Sequence, residues 1–101
     1  MAMMDMDLTG KTALITASVT GIGLATAQQL CSRGAKVWIN GRKADRLAQA
    51  AEAVRARVPG AQVMTVQADV ATAGGCQRVI DTVKDVDLLL NMAGGTDRIV
   101  P

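Results

Sequence analysis

The sequence predicts a doubly wound α/β fold built on a parallel sheet, and three observations carry that expectation. Short β-prone apolar runs alternate with helix-period segments along the chain. The connections between them are short, and two runs, "KVWIN" and "VDLLLN", are nearly continuous apolar stretches, as expected of strands covered on both faces. Finally, a strand–helix–parallel strand succession requires right-handed crossovers, which place helices on both sides of the sheet. The expected strand order is 3-2-1-4.

Each element has a local reason. "KTALIT" (Lys11 to Thr16) is apolar and β-prone and reads as the first strand. From Gly21 to about Arg33 the residues favour helix, and Gly34 stands where a helix C-cap is expected. "KVWIN" (Lys36 to Asn40) is the second strand. In "ADRLAQAAEAVRARV", Leu47, Ala51, Val54 and Val58 recur at steps of three and four and form one apolar helical face, ended by the turn at Pro59-Gly60. "QVMTVQ" (Gln62 to Gln67) is the third strand. After Gly74-Gly75 a shorter helix is expected to bury Val79, Ile80 and Val83 on one face, and "VDLLLN" (Val86 to Asn91) is the fourth strand.

Composition narrows the function classes. The 101 residues suffice for one domain with one core. Half of them are hydrophobic, yet Trp38 is the single aromatic residue and there is no histidine. Alanine and aliphatic residues must therefore fill the core. A net charge of +2 without a basic cluster argues against nucleic acid as a partner. Cys31 and Cys76 lie on separate expected helices and have no histidine to join them, so no metal site is expected. Both read as buried, reduced thiols, which suits a cytoplasmic protein. The start carries Asp5 and Asp7 but no basic n-region or long apolar run, so neither a secretory signal nor a membrane span is expected.

The chemistry-bearing stretch is "LITASVTGIG" (Leu14 to Gly23). It runs from strand one into the first helix through Gly21 and Gly23. A helix N-terminus offers unpaired N–H groups and a partial positive charge, and missing side chains let backbone approach a pyrophosphate. Strand-to-helix turns also carry glycines for geometry alone, so the turn by itself leaves both readings open.

The spacing Thr16-Ala17-x-x-x-Gly21-Ile22-Gly23 resembles the short-chain dehydrogenase/reductase family, whose turn reads Thr-Gly-x-x-x-Gly-Ile-Gly. "KVWINGRK" is similar to the family's second strand, "ADV" (Ala68 to Val70) to its adenine-side acidic motif, and "NMAG" (Asn91 to Gly94) to its Asn-Asn-Ala-Gly motif. The resemblance implies a Rossmann-type sheet and cofactor contacts from Thr16, Ala17, Ser18, Val19, Thr20, Gly21, Ile22 and Gly23. It extends those contacts to Asn40, Arg42, Lys43, Asp69, Val70, Asn91, Ala93 and Gly94.

Two positions depart from the family pattern. Ala17 replaces a glycine; at positive φ its β-carbon costs about 1–2 kcal/mol, at negative φ little. Met92 replaces an asparagine whose amide helps brace the sheet beside the cofactor, a bond that methionine cannot donate.

The end of strand two bears on the choice of nucleotide. An acid there accepts from a ribose 2′-hydroxyl and repels a 2′-phosphate. Here Asn40-Gly41-Arg42-Lys43 brings cations and no acid before Asp45. Arg42 suits a phosphate partner, and basic residues at a helix start oppose its dipole, which weakens a purely structural explanation. NADP is therefore expected over NAD. Asp69 is open to two roles, adenine contact or turn capping.

Hydride transfer in the family depends on a Ser and a Tyr-x-x-x-Lys pair beyond the fourth strand, and this sequence has no tyrosine. Residues 1–101 are therefore expected to form the N-terminal, cofactor-binding half of one domain, a four-stranded and incomplete sheet. The chain alone is expected to be inactive, and either to self-associate through strand four or to be ordered only with the rest of the polypeptide present. The parent protein would be an oxidoreductase acting on a small carbonyl or alcohol substrate, and a homo-oligomer. The alternative is a catalytically inert nucleotide-binding or interaction module.

Overall fold

The computed structural model describes residues 7–92. The elements follow in the order β1 (Thr12–Thr16), α1 (Gly21–Ser32), β2 (Lys36–Gly41), α2 (Ala44–Arg57), β3 (Gln62–Gln67), α3 (Ala73–Thr82) and β4 (Leu88–Asn91). The strands form one parallel sheet in the order β3-β2-β1-β4, the order expected of a Rossmann-type sheet. Register sets Ile15 beside Ile39 and Leu90, Thr16 beside Asn91, and Asn40 beside Val66. The carboxyl ends of the strands thereby meet along one edge of the sheet.

Each sheet face has its own core. On one face Ala27 and Cys31 of α1 and Leu47, Ala50, Ala51 and Val54 of α2 pack with Ala13, Ile15, Val37, Ile39 and Val63. Alanines at these contacts let helix backbone lie close to the strands without cavities. On the other face Val79 and Val83 join Leu14, Val66 and Ala68, with partly buried Trp38 and Val70 against them. Helix α1 ends on Gly34, whose φ of 93° places it in the left-handed region. Gly34 N donates to Cys31 O and Ala35 N to Leu30 O, the two bonds that close a helix of this kind.

Four local expectations are corrected. Ile80 is 62% exposed; α3 meets the sheet through a narrow stripe, and a step of one from Val79 turns Ile80 off it. Gly74 and Gly75 lie inside the first turn of α3 rather than before it. Strand β4 starts at Leu88, not Val86; Leu89 on one of its faces is 65% exposed, and Leu90 packs on the core. Cys76 is exposed in the first turn of α3, whereas Cys31 is buried. Among the described residues no helix is long and apolar enough to cross a membrane.

Candidate functional site

The turn between β1 and α1 is held from within by buried polar groups. Ala17 sits at φ 53°, in the left-handed region, and Gly21 at φ 62°. A β-carbon on Gly21 would meet nothing, so glycine there answers to backbone angle alone. Gly23 answers to space: its β-carbon would lie 2.9 Å from Ser18 Cα and 3.3 Å from Ala17 O, so only glycine lets α1 rest against the turn. The Ser18 hydroxyl donates to Ile15 O at 2.8 Å and accepts from Asn40 N at 3.0 Å.

Asn40 is the centre of this bracing. Its Oδ1 accepts from Ala17 N at 3.0 Å, and its Nδ2 donates to Val66 O and Ala68 O, both at 3.1 Å. The residue is buried, and one amide ties the turn to the end of β3. At the other side Thr16 Oγ1 donates to Asn91 Oδ1 at 2.8 Å and accepts from Met92 N at 3.1 Å. The link between β1 and the end of β4 thus uses Thr16 and the Met92 main chain. The Met92 side chain packs against the core.

With Thr16 and Ser18 turned inward, the turn leaves the start of α1 uncapped. Thr20 occupies the N-cap in extended backbone and makes no capping bond, and the first turn contains no acid. The leading N–H groups and the positive end of the helix dipole are therefore not neutralised by the chain itself. Beside them opens a cleft of about 370 Å³ lined by Ala17, Val19, Thr20, Asn40, Gly41, Arg42, Ala68, Asp69, Val70 and Ala71. Its volume is that of a small-ligand pocket.

An adjoining cavity of about 190 Å³ is lined by Val19, Arg42, Lys43 and Arg46. None of these cations forms an ion pair among the described residues. The Arg42 main chain is anchored, its carbonyl accepting from Gln67 Nε2 at 3.0 Å, so the guanidinium alone is left to find a partner. Asp69 Oδ1 accepts from Ala71 N at 2.9 Å and its carbonyl from Thr72. The turn-capping role weighed for Asp69 is realised with one carboxylate oxygen.

The fold thus gathers Ala17, Val19, Thr20, Asn40, Arg42, Asp69 and Val70 at one cleft and Lys43 at its neighbour. Ser18 and Thr16 are buried beneath the surface, Gly23 is buried against the turn, and Gly21 and Ile22 are exposed at the helix start. Asn91 borders the turn through Thr16. Ala93 and Gly94 lie outside the described residues. Gly41, Ala68, Ala71 and Arg46 were not foreseen as site residues; Arg46 lies in the first turn of α2, just after the cationic end of β2. Among the described residues no cluster of acidic, Cys or His side chains could hold a metal ion.

The family model described as short chain dehydrogenase matches residues 11–100. The chain belongs to the short-chain dehydrogenase family. It is 36% identical over 91 residues to the uncharacterized oxidoreductase YvaG of Bacillus subtilis (strain 168), covering 90% of this chain and 34% of that protein. It is 39% identical over 95 residues to a 3-oxoacyl-[acyl-carrier-protein] reductase of Synechocystis, covering 88% and 37%. The L-sorbose reductase of Gluconobacter frateurii, solved with NADPH and L-sorbose, superposes with a TM-score of 0.80 at 36% identity, over 95% of this chain and 38% of that one. The chain spans roughly a third of the length of the short-chain dehydrogenases it matches.

Proposed function

We propose that residues 1–101 are the N-terminal, cofactor-binding portion of an NADP-dependent short-chain dehydrogenase that interconverts a carbonyl and an alcohol on a small molecule. One observation carries the nucleotide choice: the cleft beside the uncapped start of α1 is lined by Arg42 and adjoins a cavity lined by Arg42 and Lys43, with no acid on its β2 side. The likeness to an NADPH-bound reductase supports the same choice.

The fit is one of donors and space. Main-chain N–H groups from Val19 to Ile22 would receive the pyrophosphate, and Gly23 keeps the helix close enough for them to do so. Arg42, helped by Lys43, would pair with the 2′-phosphate, to which a guanidinium donates two parallel bonds. Asp69 and Val70 would border the adenine, and Asn91, with Ala93 and Gly94, the sheet end beyond the turn. Thr16, Ser18 and Asn40 act from beneath, holding the turn in the shape that presents its N–H groups. The hydride is the cofactor's; these residues bind and orient it. The acid–base residues would come from sequence beyond those described, in a cytoplasmic homo-oligomer.

Arg42→Ala is the test. NADPH binding is expected to weaken by about 1–3 kcal/mol, the loss of a charge-assisted contact, with NADH binding nearly unchanged. Fluorescence titration with both nucleotides measures it. Equal losses for the two would overturn the assignment.

A further inference from the structure

Gly41 closes β2 about twenty residues after Gly21, where a dinucleotide site that selects a ribose 2′-hydroxyl carries its acid. The backbone does not demand glycine here, because φ lies outside the left-handed region. The neighbouring side chain does. A β-carbon at position 41 would stand 2.5 Å from Val19 Cγ1, with Leu47 Cδ1 at 3.6 Å behind it.

Val19 cannot simply step aside. It is partly buried against the core that contains Leu47, and its β-branching leaves few rotamers. It also lines both the cleft and the cationic cavity, so it stands between them. Residue types in the turn thus decide what position 41 can hold.

We infer that Val19 is a specificity-determining residue: its side chain occupies the space that an acid at position 41 would need. The turn would then exclude 2′-hydroxyl recognition sterically, in addition to the attraction that Arg42 offers a 2′-phosphate. Discrimination of this kind combines a favourable contact with a built-in clash. The inference rests on the proposed reading of the turn as a dinucleotide site.

A double-mutant cycle tests it, with dissociation constants for NADH and NADPH and melting temperatures for every variant. Gly41→Asp alone is expected to weaken NADPH at least about tenfold while leaving NADH within about twofold; adding Val19→Ala should then raise NADH affinity about tenfold over the single variant. Gly41→Asp gaining NADH affinity by itself, or equal NADH affinity in the single and double variants, would overturn the inference. The steric half has its own readout. Gly41→Ala should lower the melting temperature by several degrees, and Val19→Ala in the same chain should recover more than half of the loss. Additive losses would remove the clash on which the inference stands. If the unaltered protein bound neither nucleotide, the dinucleotide reading and the selectivity role would both fall, while the melting cycle would still decide the Val19–Gly41 contact.

Discussion

Helices α1 and α3 both start after a threonine in extended backbone, yet the two threonines do different work. Thr72 Oγ1 accepts from Gly75 N at 2.9 Å, and Asp69 ties down Ala71 N and the Thr72 main chain and hydroxyl. The start of α3 is therefore satisfied by its own chain. Thr20 caps nothing, while Ser18 and Asn40 spend their polar groups on the strand side of the turn. A helix start that the chain satisfies has little left for a ligand, whereas the start of α1 keeps its N–H groups and its dipole available. The difference between the two turns, one satisfied by its own chain and one left with free helix-start N–H groups, is what the proposed cofactor site rests on.

The largest effect is expected where the turn before α1 is braced. Asn40→Ala removes the partner of Ala17 N and of the buried carbonyls of Val66 and Ala68, and should cost about 2–4 kcal/mol in urea unfolding. Next come the caps themselves. Thr72→Ala should cost about 1 kcal/mol and leave NADPH binding unchanged. Thr20→Asp should do the reverse at α1, adding about 0.5–1 kcal/mol of stability while weakening NADPH about tenfold, since its carboxylate would occupy and repel at the same N–H groups. If both substitutions moved stability and binding together, the contrast between the turns would fail.

Ala17→Gly sharpens the comparison further. With φ at 53°, the β-carbon carries a left-handed penalty of about 1–2 kcal/mol, of which added unfolded-state entropy returns about 0.4–1. A net gain of about 0.5–1 kcal/mol in a melting or urea experiment is expected, and a loss would contradict the geometry.

The smallest effect separates the two cysteines. Cys76 on α3 should alkylate readily in the native protein, and Cys31 on α1 only on unfolding. Burial pushes the Cys31 thiol above its ordinary value of 9.0. The native state therefore holds that proton more tightly, so stability is constant below the unfolded value and falls as pH climbs beyond it. Melting temperatures between about pH 8 and 10 should fall more steeply in the native sequence than in Cys31→Ala.

Much of this molecule was legible before folding was considered. Strand β3 and the start of α1 agree with the expected residues because period-two and period-3.6 patterns are local properties of a short window. The strand order followed from the resemblance to a Rossmann-type sheet, and the turn's place from two glycines after an apolar run. Exposure of Ile80 and Cys76 was not legible, because an apolar residue type does not report whether another element covers it.

By itself, the sequence determined the alternation of elements, the order β3-β2-β1-β4, the position of the turn and the cationic end of β2. Tertiary structure alone decided the sign of φ at Ala17, the use of Asn40 as a brace rather than a surface group, and the contact between Val19 and Gly41. The physical reason is distance along the chain. Asn40 meets Ala17 across 23 positions and Ala68 across 28, and only the register of β1, β2 and β3 brings those atoms within reach. Hydrogen bonds and clashes between residues so far apart depend on ångström-scale placement of whole strands, which no local pattern encodes.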